Sequence, residues 1–134
     1  MTQAQRAHMI ATDIGLLSYW ALSALLALHL LPAPESWLYA GYHDAAIVAW
    51  NWSFLPLDVL LSVLGIAAVS ADARGCAEGA ALSQISLSLT FCAGFMALSF
   101  WAIRCEFDPV WWGVNLFLAV WPVPFLARGV LRAA

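Results

Sequence analysis

Four long stretches of this chain, residues 9–31, 45–70, 81–103 and 109–130, contain hardly a charged side chain. The hydrocarbon core of a bilayer is about 30 Å thick, and about 20 predominantly apolar residues cross it as a helix. Each stretch therefore reads as a transmembrane helix, and residues 1–134 as one transmembrane domain. The expected fold is all-α, an integral membrane four-helix bundle. Strands are a poor alternative, because the apolar runs are long and do not alternate. An open sheet in lipid would also leave backbone groups unsatisfied.

Composition agrees. The chain is 64% hydrophobic and 10% charged, with a mean hydropathy of +0.86. A soluble domain has about 45–50% apolar and about 25% charged residues. So few charges would not cover a soluble surface of this size, and lipid is the expected partner over much of it. The first apolar run is too long for the hydrophobic region of a signal peptide, and PAPES after it is a poor cleavage site. It reads as a retained first span, stopped by Pro32 and Pro34.

All five basic residues are arginines: Arg6, Arg74, Arg104, Arg128 and Arg132. They form no tract that would neutralise a row of phosphates, so nucleic acid is not an expected partner. Placing the N-terminus in the cytoplasm puts four arginines inside and only Arg104 outside, which favours N-in, C-in. A bacterial cytoplasmic (inner) membrane is the matching location. Trp37, Tyr39 and Tyr42 then fall in the first outer loop, and Trp101, Trp111 and Trp112 bracket the second. The outer edge is accordingly the aromatic one.

Function, where the sequence carries it, lies in polar groups that a bilayer should exclude. Asp58 stands mid-span in WNWSFLPLDVLL, where an ionised carboxylate costs at least about 2.5–3.5 kcal/mol. It must face the interior, protonated or paired. Pro56 removes a helix hydrogen bond and should kink this span near Trp52. Asn51, Leu55, Asp58, Ser62 and Gly65 fall on one face by steps of three or four. That stripe fits either a packing seam between helices or a polar-floored pocket with Asp58 at its base.

Asp13 is a second buried acid, near a helix start where negative charge is favoured, with Gln84 at a depth that allows a hydrogen bond. Asn51 and Asn115 lie partway in from the outer side, with His29 and Arg104 closer to the edge. Together with the tryptophans they form the expected mouth of an outward-opening cavity. Arg104 also has Glu106 and Asp108 beside it, as in a surface ion pair. The expected ligand-binding set is Asp58, Asn51, Trp50, Trp52, Asn115, Asp13, Arg104, Trp111 and Trp112, with Asp58 as the one candidate catalytic group. Cys76, Cys92 and Cys105 are odd in number and lack CxxC spacing, and no histidine cluster occurs. Neither a metal nor a cofactor is expected.

TDIGLLSYW, WNWSFLPLD and SLTFCAGFMALSFWAIRCEFDPVWWGVNLFL resemble the YvaD-like family of small bacterial membrane proteins. The resemblance spans nearly the whole chain. It implies a four-span bacterial inner-membrane protein, and it brings no catalytic assignment with it. Looser analogies of architecture run to emopamil-binding and sigma-two-receptor-like bundles and to integral-membrane terpene cyclases.

Three functions follow as expectations. The first is binding of a small hydrophobic, amphipathic or cationic molecule over Asp58. The second is acid–base catalysis, as an isomerase or cyclase, on an isoprenoid or sterol-like substrate. The third is a structural or accessory subunit or small transporter component, for which a homodimer is a reasonable assembly.

Overall fold

The computed structural model describes residues 1–32 and 41–133. The expected anchors Trp37 and Tyr39, and the helix stop at Pro34, lie outside the described residues. Six helices follow one another, and no strand occurs among the described residues. They are α1 (Gln3–Ala27), α2 (Ala45–Trp52), α3 (Leu55–Ala73), α4 (Glu78–Ile103), α5 (Pro109–Val120) and α6 (Val123–Ala133). Taken with their continuations, they make four helical rods long and apolar enough to cross a membrane: Gln3–Ala27, Ala45–Ala73, Glu78–Ile103 and Pro109–Gly129.

Local chemistry explains the boundaries. The first helix starts well before Met9 because Thr2 caps it, its hydroxyl accepting from the Gln5 N–H at 3.1 Å, and a capped polar turn extends the helix beyond its apolar part. Asp44 caps α2 through the Ala46 N–H at 2.8 Å. Asp108 caps α5 through the Val110 and Trp111 N–H groups at 2.9 and 3.0 Å, with Pro109 in the first turn. Helix α1 ends where His29 takes a φ of 55°, and the Leu30 N–H then bonds back to the Leu25 carbonyl at 2.9 Å.

The second rod breaks at Ser53–Phe54. The Phe54 N–H turns to the Asn51 carbonyl at 3.1 Å, a tighter turn than an α-helix makes. Pro56 has no N–H to return to the Trp52 carbonyl, so the expected kink falls where the proline dictates. The fourth rod, expected as one helix, also breaks, at Trp121–Pro122. Pro122 and Pro124, on either side of Val123, each withhold a helix donor there, which divides α5 from α6.

Helix α1 packs on α3, α3 on α4 and α4 on α5, while α6 folds back against α4. Small side chains allow the close approaches. A Cβ on Gly94 would stand 2.6 Å from the Asn115 carbonyl oxygen, backbone against backbone. The Ser86 hydroxyl donates across to the Leu61 carbonyl at 3.0 Å. One end of the bundle carries Arg6, Arg74 and Arg128, and beside it Met9, Ala68, Leu87 and Trp121 form a buried apolar core. The opposite end carries most of the aromatic rings. The side chains turned outward along the rods are apolar, among them Ile14, Val63, Ile66, Phe95 and Met96.

Candidate functional site

The aromatic half of the bundle is hollow. A cavity of about 480 Å³ lies among α1, α2, α3, α4 and α5. Its walls are mainly Trp20, Trp50, Trp111, Leu16, Val114 and Leu118, and its polar side chains are Asp58, Asn51, Asn115, Thr12 and Tyr19.

Asp58 reaches this wall from the first turn of α3, just past the break that Pro56 imposes. Its side chain is only 6% exposed. Trp20 donates its indole N–H to Asp58 Oδ2 at 2.9 Å, while Oδ1 is covered and has no hydrogen-bond partner among the described residues. A buried carboxylate with half its hydrogen-bonding capacity unused leaves a large desolvation cost unmet. Asn51 sits two turns earlier on the same face, where its Oδ1 accepts from the Tyr19 hydroxyl at 3.1 Å. Asn115 donates to the Trp111 carbonyl on its own helix at 2.8 Å. The face containing Asn51, Asp58, Ser62 and Gly65 is buried along its length, with Leu55 only half-buried.

Aromatic geometry shapes the walls. Trp50 stacks on Phe100 with ring centroids 3.9 Å apart, and Trp20 lies edge-on to Tyr19 at 5.0 Å. Trp52 stands behind Trp20 at 5.4 Å and forms no part of the cavity lining among the described residues.

Several expected positions fall elsewhere. Arg104 lies outside the cavity, because its short tether in the turn brings it to Glu106, at 2.8 Å, on the exposed edge. That hydrogen bond holds the guanidinium above its ordinary value, so it is a fixed surface cation. Trp112 leans out to the same turn, donating to the Glu106 carbonyl at 3.2 Å and packing on Phe107. His29 is an exposed helix terminator. None of these three forms a mouth.

Asp13 is buried, about two turns from Trp20 towards the arginine end, with its carboxylate pressed on Gly65 of α3. It makes no hydrogen bond with Gln84, whose amide lies against Gly129 of α6 instead. Asp13 Oδ2, Thr12 Oγ1 and Ser62 Oγ join Asp58 Oδ1 as buried polar atoms without partners among the described residues. Tyr19, Trp20 and Thr12 were not singled out in the sequence. All three lie in TDIGLLSYW, and their spacing, Thr12 to Tyr19 and Trp20 by seven and eight residues, puts them on one side of α1.

Among the described residues no group of three or more histidine, cysteine or acidic side chains is placed to hold a metal. A family model described as a family of unknown function (DUF5360) matches residues 5–134. A relative from Bacillus subtilis, named uncharacterized protein YvaD, is 42% identical over 117 residues, which covers 87% of this chain and 84% of the relative. No solved structure matches.

Proposed function

The chain belongs to the DUF5360 family, and from that footing we propose that it is an inner-membrane protein that binds a small amphipathic molecule, with Asp58 at the base of the pocket. One observation carries the reading. A carboxylate that is 6% exposed, with one oxygen unpartnered, stands in the wall of a predominantly apolar, ring-lined cavity. A cationic head group would offset the desolvation of Asp58, and the faces of Trp20, Trp50 and Trp111 would add cation–π attraction. The volume falls within the range of small-molecule sites, roughly 300–1,000 Å³.

Binding is favoured over acid–base catalysis because Asp58 and Tyr19 are the only titratable side chains among the described lining residues. Neither a histidine nor a second carboxylate is there to return a proton.

The test is equilibrium binding of a radiolabelled long-chain amine to the purified protein in nanodiscs. Asp58→Asn should weaken binding at least about tenfold, the equivalent of about 1.4 kcal/mol, without altering the helical circular dichroism. Equal affinity for the two proteins would defeat the assignment.

A further inference from the structure

The cavity has a side door. Helices α1 and α5 are neighbours around the bundle but do not pack closely on one another, and ring contacts bridge them at two levels. At the aromatic end Tyr19 meets Trp111 edge-on, with centroids 5.9 Å apart. Towards the arginine end the His8 ring stacks on Trp121 at 5.5 Å and Phe117 at 6.5 Å. Between these closures the cavity is edged by Ala11 and Gly15 on α1 and by Val114 and Phe117 on α5.

All four lip residues are exposed, Val114 at 50% and Phe117 at 47%. A Cβ built on Gly15 would meet nothing within 4 Å. The opening therefore faces sideways, off the long axis of the bundle. From His8 to Tyr19 it extends about 16 Å along α1 at about 1.5 Å per residue. Its edges are apolar, while the polar groups Asp58, Asn51 and Asn115 stand inside.

We propose that this slot admits a single-chain amphiphile from the bilayer, a long-chain amine whose head group lies at Asp58 and whose hydrocarbon chain runs out between α1 and α5. The inference rests on the binding reading above and adds the class of ligand and its route. The arrangement of polarity selects that class. A head group with N–H donors matches the Asp58 carboxylate and the two asparagine side chains. A compact polar ligand would leave the apolar slot open to lipid. A single chain fits a gap whose lips are Ala11, Gly15, Val114 and Phe117 and whose two ends are stopped by rings. The slot is continuous with the cavity, so the occupant that satisfies Asp58 also covers the slot.

The experiment is photolabelling of the full chain in nanodiscs with a long-chain amine carrying a diazirine midway along its tail, followed by peptide mapping. Saturable labels should fall on residues 11–19 and 110–118. They should be lost in Asp58→Asn and fall about tenfold in Gly15→Phe, which plugs the slot. Val114→Phe closes it from the other lip, should Gly15→Phe fail to keep the wild-type melting temperature.

If labelling is saturable and Asp58-dependent but is unaffected by both plugs, or maps to the 28–32 and 104–108 turns, side entry is wrong and the binding reading stands. If a second copy of the chain fills the slot, cross-links will join protein to protein and exclude the probe, which overturns the proposal. The absence of any saturable labelling overturns both.

Discussion

Asp58 owes its position to a single hydrogen bond and a proline. The Trp20 indole N–H holds one carboxylate oxygen, and the break before Pro56 sets the turn from which the side chain reaches the cavity. Replacing Trp20 with Phe keeps most of the ring volume and removes that donor. It should cost about 1–3 kcal/mol for the uncompensated buried carboxylate, read as a lower melting temperature. An unchanged melting temperature would mean that Asp58 finds another partner without effort.

Gly65 offers a sharper test at the same scale. A Cβ there would collide with the Asp13 carboxylate, which is itself 2% exposed. Gly65→Ala should therefore destabilise by about 1–3 kcal/mol, against the ordinary stabilising effect of alanine in a helix. Asp13→Ala should relieve that penalty in the double variant. A double-mutant cycle showing simple additivity would rule out the contact.

The helices end by a shared device. Leu30, Cys76 and Glu106 each send a backbone N–H to a carbonyl five residues back, at 2.9, 2.9 and 3.1 Å. The residue before each of them is left-handed: His29, Gly75 and Cys105, with φ of 55°, 71° and 55°. Only the second is the glycine such a position favours, since a left-handed L-residue costs roughly 1–2 kcal/mol. Cys105→Gly should thus raise stability by up to about 1 kcal/mol in thermal unfolding. A drop would show that the thiol makes a compensating interaction. The opposite outcome is expected inside the bundle, where Gly94 lets α4 touch the backbone of α5. Gly94→Ala forces those helices apart and should both lower stability and change the tryptophan fluorescence of the cavity walls.

At the scale of the whole molecule, the bundle is polarised along its length. The Asp58 cavity lies in its aromatic half, its core cluster lies towards the arginine end, and two of the three cysteines mark the two ends. Cys76 lies in the α3–α4 turn and Cys105 in the α4–α5 turn, and both are exposed and free. An N-in, C-in orientation predicts that a membrane-impermeant maleimide labels Cys105 in intact spheroplasts and reaches Cys76 only after permeabilisation, each read in a single-cysteine variant. The reverse pattern would invert the topology. It would also place the hollow end, with Asp58 and its tryptophans, towards the cytoplasm.

The sequence by itself determined the four apolar rods, the all-helical class, the family and the inward face of Asn51, Asp58, Ser62 and Gly65. All of these follow from hydropathy, helical period and proline chemistry, which act over a few turns of one chain segment. The tertiary structure decided which polar groups meet. It tied Asp58 to Trp20 and set Asp13 on Gly65 instead of beside Gln84. It also sent Arg104 and Trp112 to the α4–α5 turn, away from the cavity lining. Those outcomes depend on the rotation of one rod against another and on how closely two backbones approach. Neither is written in the period of a single helix. Two apolar rods of equal hydropathy can pack together or stand apart, and here five rings, those of His8, Tyr19, Trp111, Phe117 and Trp121, stand between α1 and α5 at two levels.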